Sequence, residues 1–160
     1  SHQQIIITNF FSQNKDLFVT NSYRCPFARA LLSGHSRCQF AESFHIAERH
    51  GMQCKDAAAL KPCEDLAAEL HKQSSFALGV THLPKPMTSN MELRIQCGGI
   101  NGIVKITGSS TTSDYLIDIY SLLRLAVDQF GSIEALPYSR VMQSISQWKP
   151  RRRGGSHKKE

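Results

Sequence analysis

The chain has 160 residues, of which 41% are hydrophobic and 20% charged. That is enough to close one core without staples and too apolar for wholesale disorder. No apolar run approaches the ~18 residues that a membrane helix needs, which excludes a helical span. Ser1-His2-Gln3-Gln4 has neither the charged start nor the long apolar stretch of a secretory signal, so a cytoplasmic location is expected. The formal charge of +6 is lopsided: Lys149, Arg151, Arg152, Arg153, Lys158 and Lys159 stand against Glu160 alone, so residues 149–160 carry +5 and the first 148 residues +1. A near-neutral body with a basic tail is not the footprint of a domain that clamps a duplex along one face. The tail is either a solvated segment or a contact for phosphate, anionic lipid or an acidic protein.

In chain order, Ile5-Ile6-Ile7-Thr8 reads as a short β-branched strand or extended lead-in, with Phe10, Phe11, Leu17, Phe18 and Val19 anchoring this arm. Residues 23–78 read as a run of short helices. Pro26 opens the first, since its missing N–H would be unpaired there anyway, and Gly34 ends it. Ser36 and Gln39 have capping-box spacing, so a second helix is expected to about His50, with Phe40, Phe44 and Ala47 as its stripe and Gly51 as its stop. A short helix covers Asp56 to Leu60, and Pro62 opens another with Cys63, Leu66, Ala67, Leu70 and Ala77 on one face. Proline geometry makes Leu83-Pro84-Lys85-Pro86 extended. Alternation over residues 91–97, then Gly98-Gly99 and the β-branched 103–107 run, suggests a hairpin, with a helix as the alternative. The strongest helical signal starts at Ser113 and carries Leu116, Ile119, Tyr120, Leu123, Ala126, Val127 and Phe130, with Tyr120 assigned to the core. Pro137 precedes a last helix bearing Val141, Ile145 and Trp148.

The five cysteines are the chemical feature. Cys25, Cys38, Cys54 and Cys63 follow the pattern C-x12-C-x15-C-x8-C, and Cys97 stands apart. The absence of any C-x2-C pair argues against zinc ribbons, zinc fingers, ferredoxin-type spacing and a thioredoxin-like pair. On the expected elements, Cys25, Cys38 and Cys63 fall at helix starts and Cys54 in a loop before one. Helix N-termini offer free N–H groups and partial positive charge, which stabilise thiolates and metal–thiolate centres. Arg24, Arg29 and Arg37 add positive charge nearby. The four cysteines are therefore expected to converge on one iron–sulfur centre, for which four thiolates suit the 4Fe-4S form. Zinc is the alternative cofactor, and unliganded core cysteines are the plain reading. A disulfide framework suits neither the chain length nor the odd count.

Cys97, His35, His45 and His50 are alternative ligands, and a histidine in place of a cysteine would favour zinc. Glu42 and His45 form a single Glu-x-x-His pair, where a helical di-iron site needs two. There is no G-x-S-x-G, H-E-x-x-H or P-loop, so enzymatic activity has no motif behind it.

The expected fold is mainly α: a bundle of short helices around a cysteine-ligated centre over residues 1–148, with a minor β-hairpin and a basic tail at 149–160. The expected function is iron–sulfur cluster binding for electron transfer or redox sensing with protein partners. The alternatives are a zinc-stabilised protein that touches nucleic acid through its tail, and a metal-free helical interaction subunit. A thiol enzyme ranks behind both.

Overall fold

A computed structural model describes residues 23–78, 87–109 and 116–150. The expectations for the N-terminal arm, for 83–86 and for the tail residues 151–160 lie outside them, while the helix expected from Ser113 begins only at Ile119, after Asp118, so that Leu116 precedes it. The described chain is mainly helical, with one two-stranded sheet: α1 (Ala28–Leu32), β1 (Ala41–Ile46), β2 (Arg49–Cys54), α2 (Ala57–Ala77), α3 (Ser89–Thr107), α4 (Ile119–Phe130) and α5 (Tyr138–Gln147). No helix among these residues is long and apolar enough to cross a membrane.

The hairpin exists, but not where the sequence pattern put it. Residues 41–50, read as helix stopped by Gly51, and the loop to Cys54 form antiparallel β1–β2, with Ala41 opposite Cys54 and Phe44 opposite Gly51. The turn is only Ala47-Glu48, and Ala47 sits at φ +54°. A two-residue turn of this kind usually advertises itself with glycine or asparagine; alanine there hides it and carries left-handed strain of ~1–2 kcal/mol. The Phe44 ring lies over Gly51, where a Cβ would come within 2.5 Å of its Cζ.

Conversely, residues 91–107, read as a hairpin, are helix α3, capped by the Thr88 hydroxyl on Met91 N and ended by left-handed Gly108. Its glycines serve close packing. A Cβ on Gly98 would meet Ile145 Cα at 2.6 Å, and one on Gly102 would meet Val141 Cα at 2.8 Å. The backbones of α3 and α5 therefore touch along a face where no side chain fits. Glycine costs a helix ~0.5–1 kcal/mol each against alanine, offset here by closer contact between two buried faces. Residues 95–100 of α3 are all buried, which makes α3 the central element.

Pro62 does not open a helix. Asp56 caps a single α2, its carboxylate accepting from Ala58 N at 2.8 Å and Ala59 N at 3.3 Å, and Pro62 lies inside it. The last helix begins directly after Pro137. A polar line crosses the core between three helices: His71 Nε2 on α2 contacts Glu92 on α3 at 2.9 Å, Gln96 Nε2 donates to Glu92 at 2.7 Å, and Ala30 N on α1 donates to Gln96 Oε1 at 3.0 Å. Gln96 is 4% exposed, so every bond it makes replaces one that water cannot supply.

Candidate cysteine site

Four stretches of chain meet at one end of the molecule. Cys25 enters through its N–H, which donates to Met52 O at 3.1 Å, and Arg24 forms an isolated bridge with Gln53. Cys38 follows a parallel bridge between Arg37 and Asp118, in which Arg37 N donates to Ile117 O and Ile119 N to Arg37 O, both at 2.9 Å. The Asp118 carboxylate, instead of capping α4 directly, holds Gln39 through its N–H and its side-chain amide. Cys54 ends β2, and Cys63 lies within α2.

These placements bring Cys25, Cys38, Cys54 and Cys63 onto one small cavity whose other walls are apolar or aromatic, among them Phe27, Phe40, Leu60, Ile119 and Tyr120. Phe40 and Tyr120 meet edge to face at 4.9 Å. The four cysteines do not sit at helix starts. Cys25 lies two residues before Phe27, the N-cap of α1, and Ser36 caps no helix. Cys38 precedes a strand, Cys54 closes one, and Cys63 is beyond the first turn of its helix. The site is assembled by the hairpin and the Arg37–Asp118 bridge. Tyr120, read as plain core, is half-buried on the cavity wall; its spacing within an apolar stripe gave no hint of that.

The electrostatics follow from burial. Burial pushes the Cys25 and Cys63 thiols up to about 12, and the neighbouring cysteines push the same way. Burial likewise raises Cys54, whose thiol donates to Asp56 O at 3.2 Å. Cys25, Cys54 and Cys63 are thus held as neutral thiols at neutral pH, the opposite of the thiolate stabilisation expected from helix ends. Neutral buried thiols are poor nucleophiles.

The alternative ligands lie elsewhere. His45 and His50 are a cross-strand pair, stacked at 4.2 Å and exposed on the hairpin. Glu42, one residue along β1 from Ser43 and three from His45, belongs to the opposite strand face from His45, so the Glu-x-x-His pair dissolves with the helix that was to carry it. His35 stands edge-on to Trp148 at 5.5 Å. Cys97 is buried within α3, its thiol pushed up to about 11 by burial, with Ser33 pulling it down. None of these residues lines the cysteine cavity. Among the described residues no three His, Cys, Asp or Glu side chains are grouped so as to hold a metal ion.

Beside the cavity runs a groove bordered by Arg24, Arg29, Arg49 and His50, with Leu32, Phe44 and Met52 as its apolar part. The two salt bridges among the described residues, Lys61–Asp65 and His71–Glu92, lie elsewhere. Comparison with protein-family models, with curated proteins and with solved structures finds no match.

Proposed function

We propose that the protein holds an iron–sulfur cluster on Cys25, Cys38, Cys54 and Cys63 and serves in electron transfer or redox sensing within a larger assembly. The observation that carries this reading is the meeting of four thiols, from four separate stretches of chain, at one cavity with apolar walls. The space between the thiols is only about 10 Å³, so a cluster would enter as the side chains around it move apart.

A mononuclear zinc site is the weaker reading. It needs its ligands about 2.0–2.3 Å from a single point, and no three ligating side chains among the described residues are grouped that way. A cluster takes one thiolate on each of several metal atoms and so tolerates a wider spread. When bound, such a cluster exchanges single electrons. The protein's own part is to supply the thiolates, exclude water with Phe40 and Tyr120, and present charge nearby. Because burial holds Cys25, Cys54 and Cys63 as neutral thiols, loading must release protons and becomes easier as pH rises. The groove of Arg24, Arg29 and Arg49 would receive an acidic surface of a protein redox partner, since guanidinium groups pair well with carboxylates.

The test is an absorption spectrum of the full chain purified without oxygen, with iron, zinc and sulfide assayed on the same sample. Brown protein with iron and acid-labile sulfide, lost in Cys25→Ser and Cys63→Ser but kept in Cys97→Ser, is the expected result. Stoichiometric zinc without colour, or no metal at all after reconstitution with iron and sulfide, would overturn the proposal.

A further inference from the structure

A second cleft lies between α3, α5 and the loop after α1. Its volume is about 470 Å³. Asn101 and Lys105 line it from α3, Ser144 and Gln147 from α5, Ser36 from the loop, and Lys149 from beyond α5. Cys97, one turn before Asn101, closes the floor, and no lining residue is acidic.

Two of these groups are built in rather than merely exposed. Ser36 is 5% exposed and Ser144 6%, yet neither hydroxyl makes a hydrogen bond among the described residues. Ser144 is the telling case. Buried hydroxyls on helices usually bond back to the carbonyl one turn earlier. Ser74 does so to Leu70 O, and Thr107 to Ile103 O at 2.8 Å. Ser144 does not, and its hydroxyl is left facing the cleft. The amides of Asn101 and Gln147 and the ammonium groups of Lys105 and Lys149 likewise make no hydrogen bond or ion pair among the described residues. Two hydroxyls without a protein partner among the described residues, two amides, two cations and no carboxylate around one cleft suit an anion with several acceptor oxygens.

The wall is not only polar. Trp148, half-buried and set edge-on against His35, forms its apolar side. The Ser33 hydroxyl lies 2.7 Å from His35 Nδ1 and fixes the ring that supports the indole. The cleft is also roomier than one tetrahedral ion requires. We propose that this cleft binds a phosphomonoester: the phosphate takes the Ser36 and Ser144 hydroxyls and the two lysines, and the organic part lies against Trp148. The assignment does not depend on what the cysteines hold.

Calorimetric titration of the full chain tests it, with inorganic phosphate and with adenosine monophosphate as separate probes. The expected result is saturable one-to-one binding, tighter for the monophosphate ester than for phosphate. Ser144→Ala and Lys105→Ala should each weaken it at least tenfold, Lys105→Arg should restore most of it, and Lys72→Ala, on the exposed side of α2, should leave it unchanged. Equal binding of the two probes with the same variant pattern would overturn the ester and leave a phosphate site. Absence of saturation with both probes, or equal losses in Lys105→Ala and Lys72→Ala, would overturn the site itself. Thermal melting of each variant without ligand separates a lost site from a lost fold.

Discussion

The two halves of the molecule are held together by different means. The helical body is a packing solution: α3 lies at the centre, its glycines let α5 come backbone to backbone, and Leu66, Leu70, Ile95, Ile103, Leu123, Val141 and Ile145 are almost fully buried around it. At the cysteine end, Cys63 belongs to this same core and Cys25 and Cys38 pack against it, while Cys54 sits in a small apolar cluster with Ala59 and Leu60, beside Tyr23, Phe40 and Tyr120. Its order comes from backbone bonds between strands and loops. A region with a deep core tolerates the loss of any ligand. The hairpin end, with little apolar burial, is drawn from the low-stability end of the fold, and a bound centre that ties Cys54 to Cys25, Cys38 and Cys63 would act there as a staple.

The sharpest way to break that contrast is to damage the body. Ile145→Ala should lower the unfolding free energy by about 2–5 kcal/mol, and Gly98→Ala, which drives a Cβ into Ile145 Cα, by about 1–3 kcal/mol. Denaturant titration should show both losses in metal-free protein. If either variant leaves the transition midpoint unchanged, α3 and α5 are not the foundation of the fold.

A smaller effect tests the polar line across the core. The hydrogen bond to Glu92 raises the His71 pKa above its ordinary 6.5, although burial opposes it. Burial pushes Glu92 up, but the bonds from His71 and Gln96 outweigh it and hold the carboxyl below its ordinary 4.5. The sign follows for each partner. The His71 contribution is complete below pH 6.5 and fades as pH rises through its folded value; the Glu92 contribution is complete above pH 4.5 and fades as pH falls through its folded value. His71→Ala should therefore cost most between about pH 4.5 and 6.5, by about 1.5–3 kcal/mol as for hydrogen bonds to charged groups, and less at pH 8. A cost independent of pH across that range would mean that the pair contributes only packing.

The smallest effect belongs to the hairpin. Ala47→Gly relieves left-handed strain at φ +54° but loosens the unfolded chain, for a net gain of no more than ~1 kcal/mol. Amide exchange should slow in 41–54 and stay constant in α3 and α5. Slowing throughout would mean that the two halves open as one unit.

The sequence was legible where side chains repeat at helical spacing and caps obey the rules. The apolar face of α2 at Leu66, Ala67 and Leu70 and the last helix after Pro137 are of this kind. It misled where glycine and alanine exchanged their usual duties. Gly98, Gly99 and Gly102 look like turn residues and are helix contacts; Ala47 looks helical and is the turn. The cysteines could be singled out by number and clustering, but the reason given for their meeting, helix N-termini, is not the one that operates. Tyr120 on the cavity wall, the arginine groove and the cleft at Ser144 arise from tertiary placement, which spacing along the chain does not encode.

The hairpin also works as a gauge. It consists of six residues, a two-residue turn and six residues, and this count sets Cys54 opposite Ala41. Strand side chains alternate faces, so a slip of one position reverses every one of them. One residue inserted within β2 between Gly51 and Met52 would keep all five cysteines, yet turn either Cys54 or the rest of its strand away from its present side. The fifteen residues between Cys38 and Cys54 are thus a measured length, and their parity matters as much as the thiols at its ends.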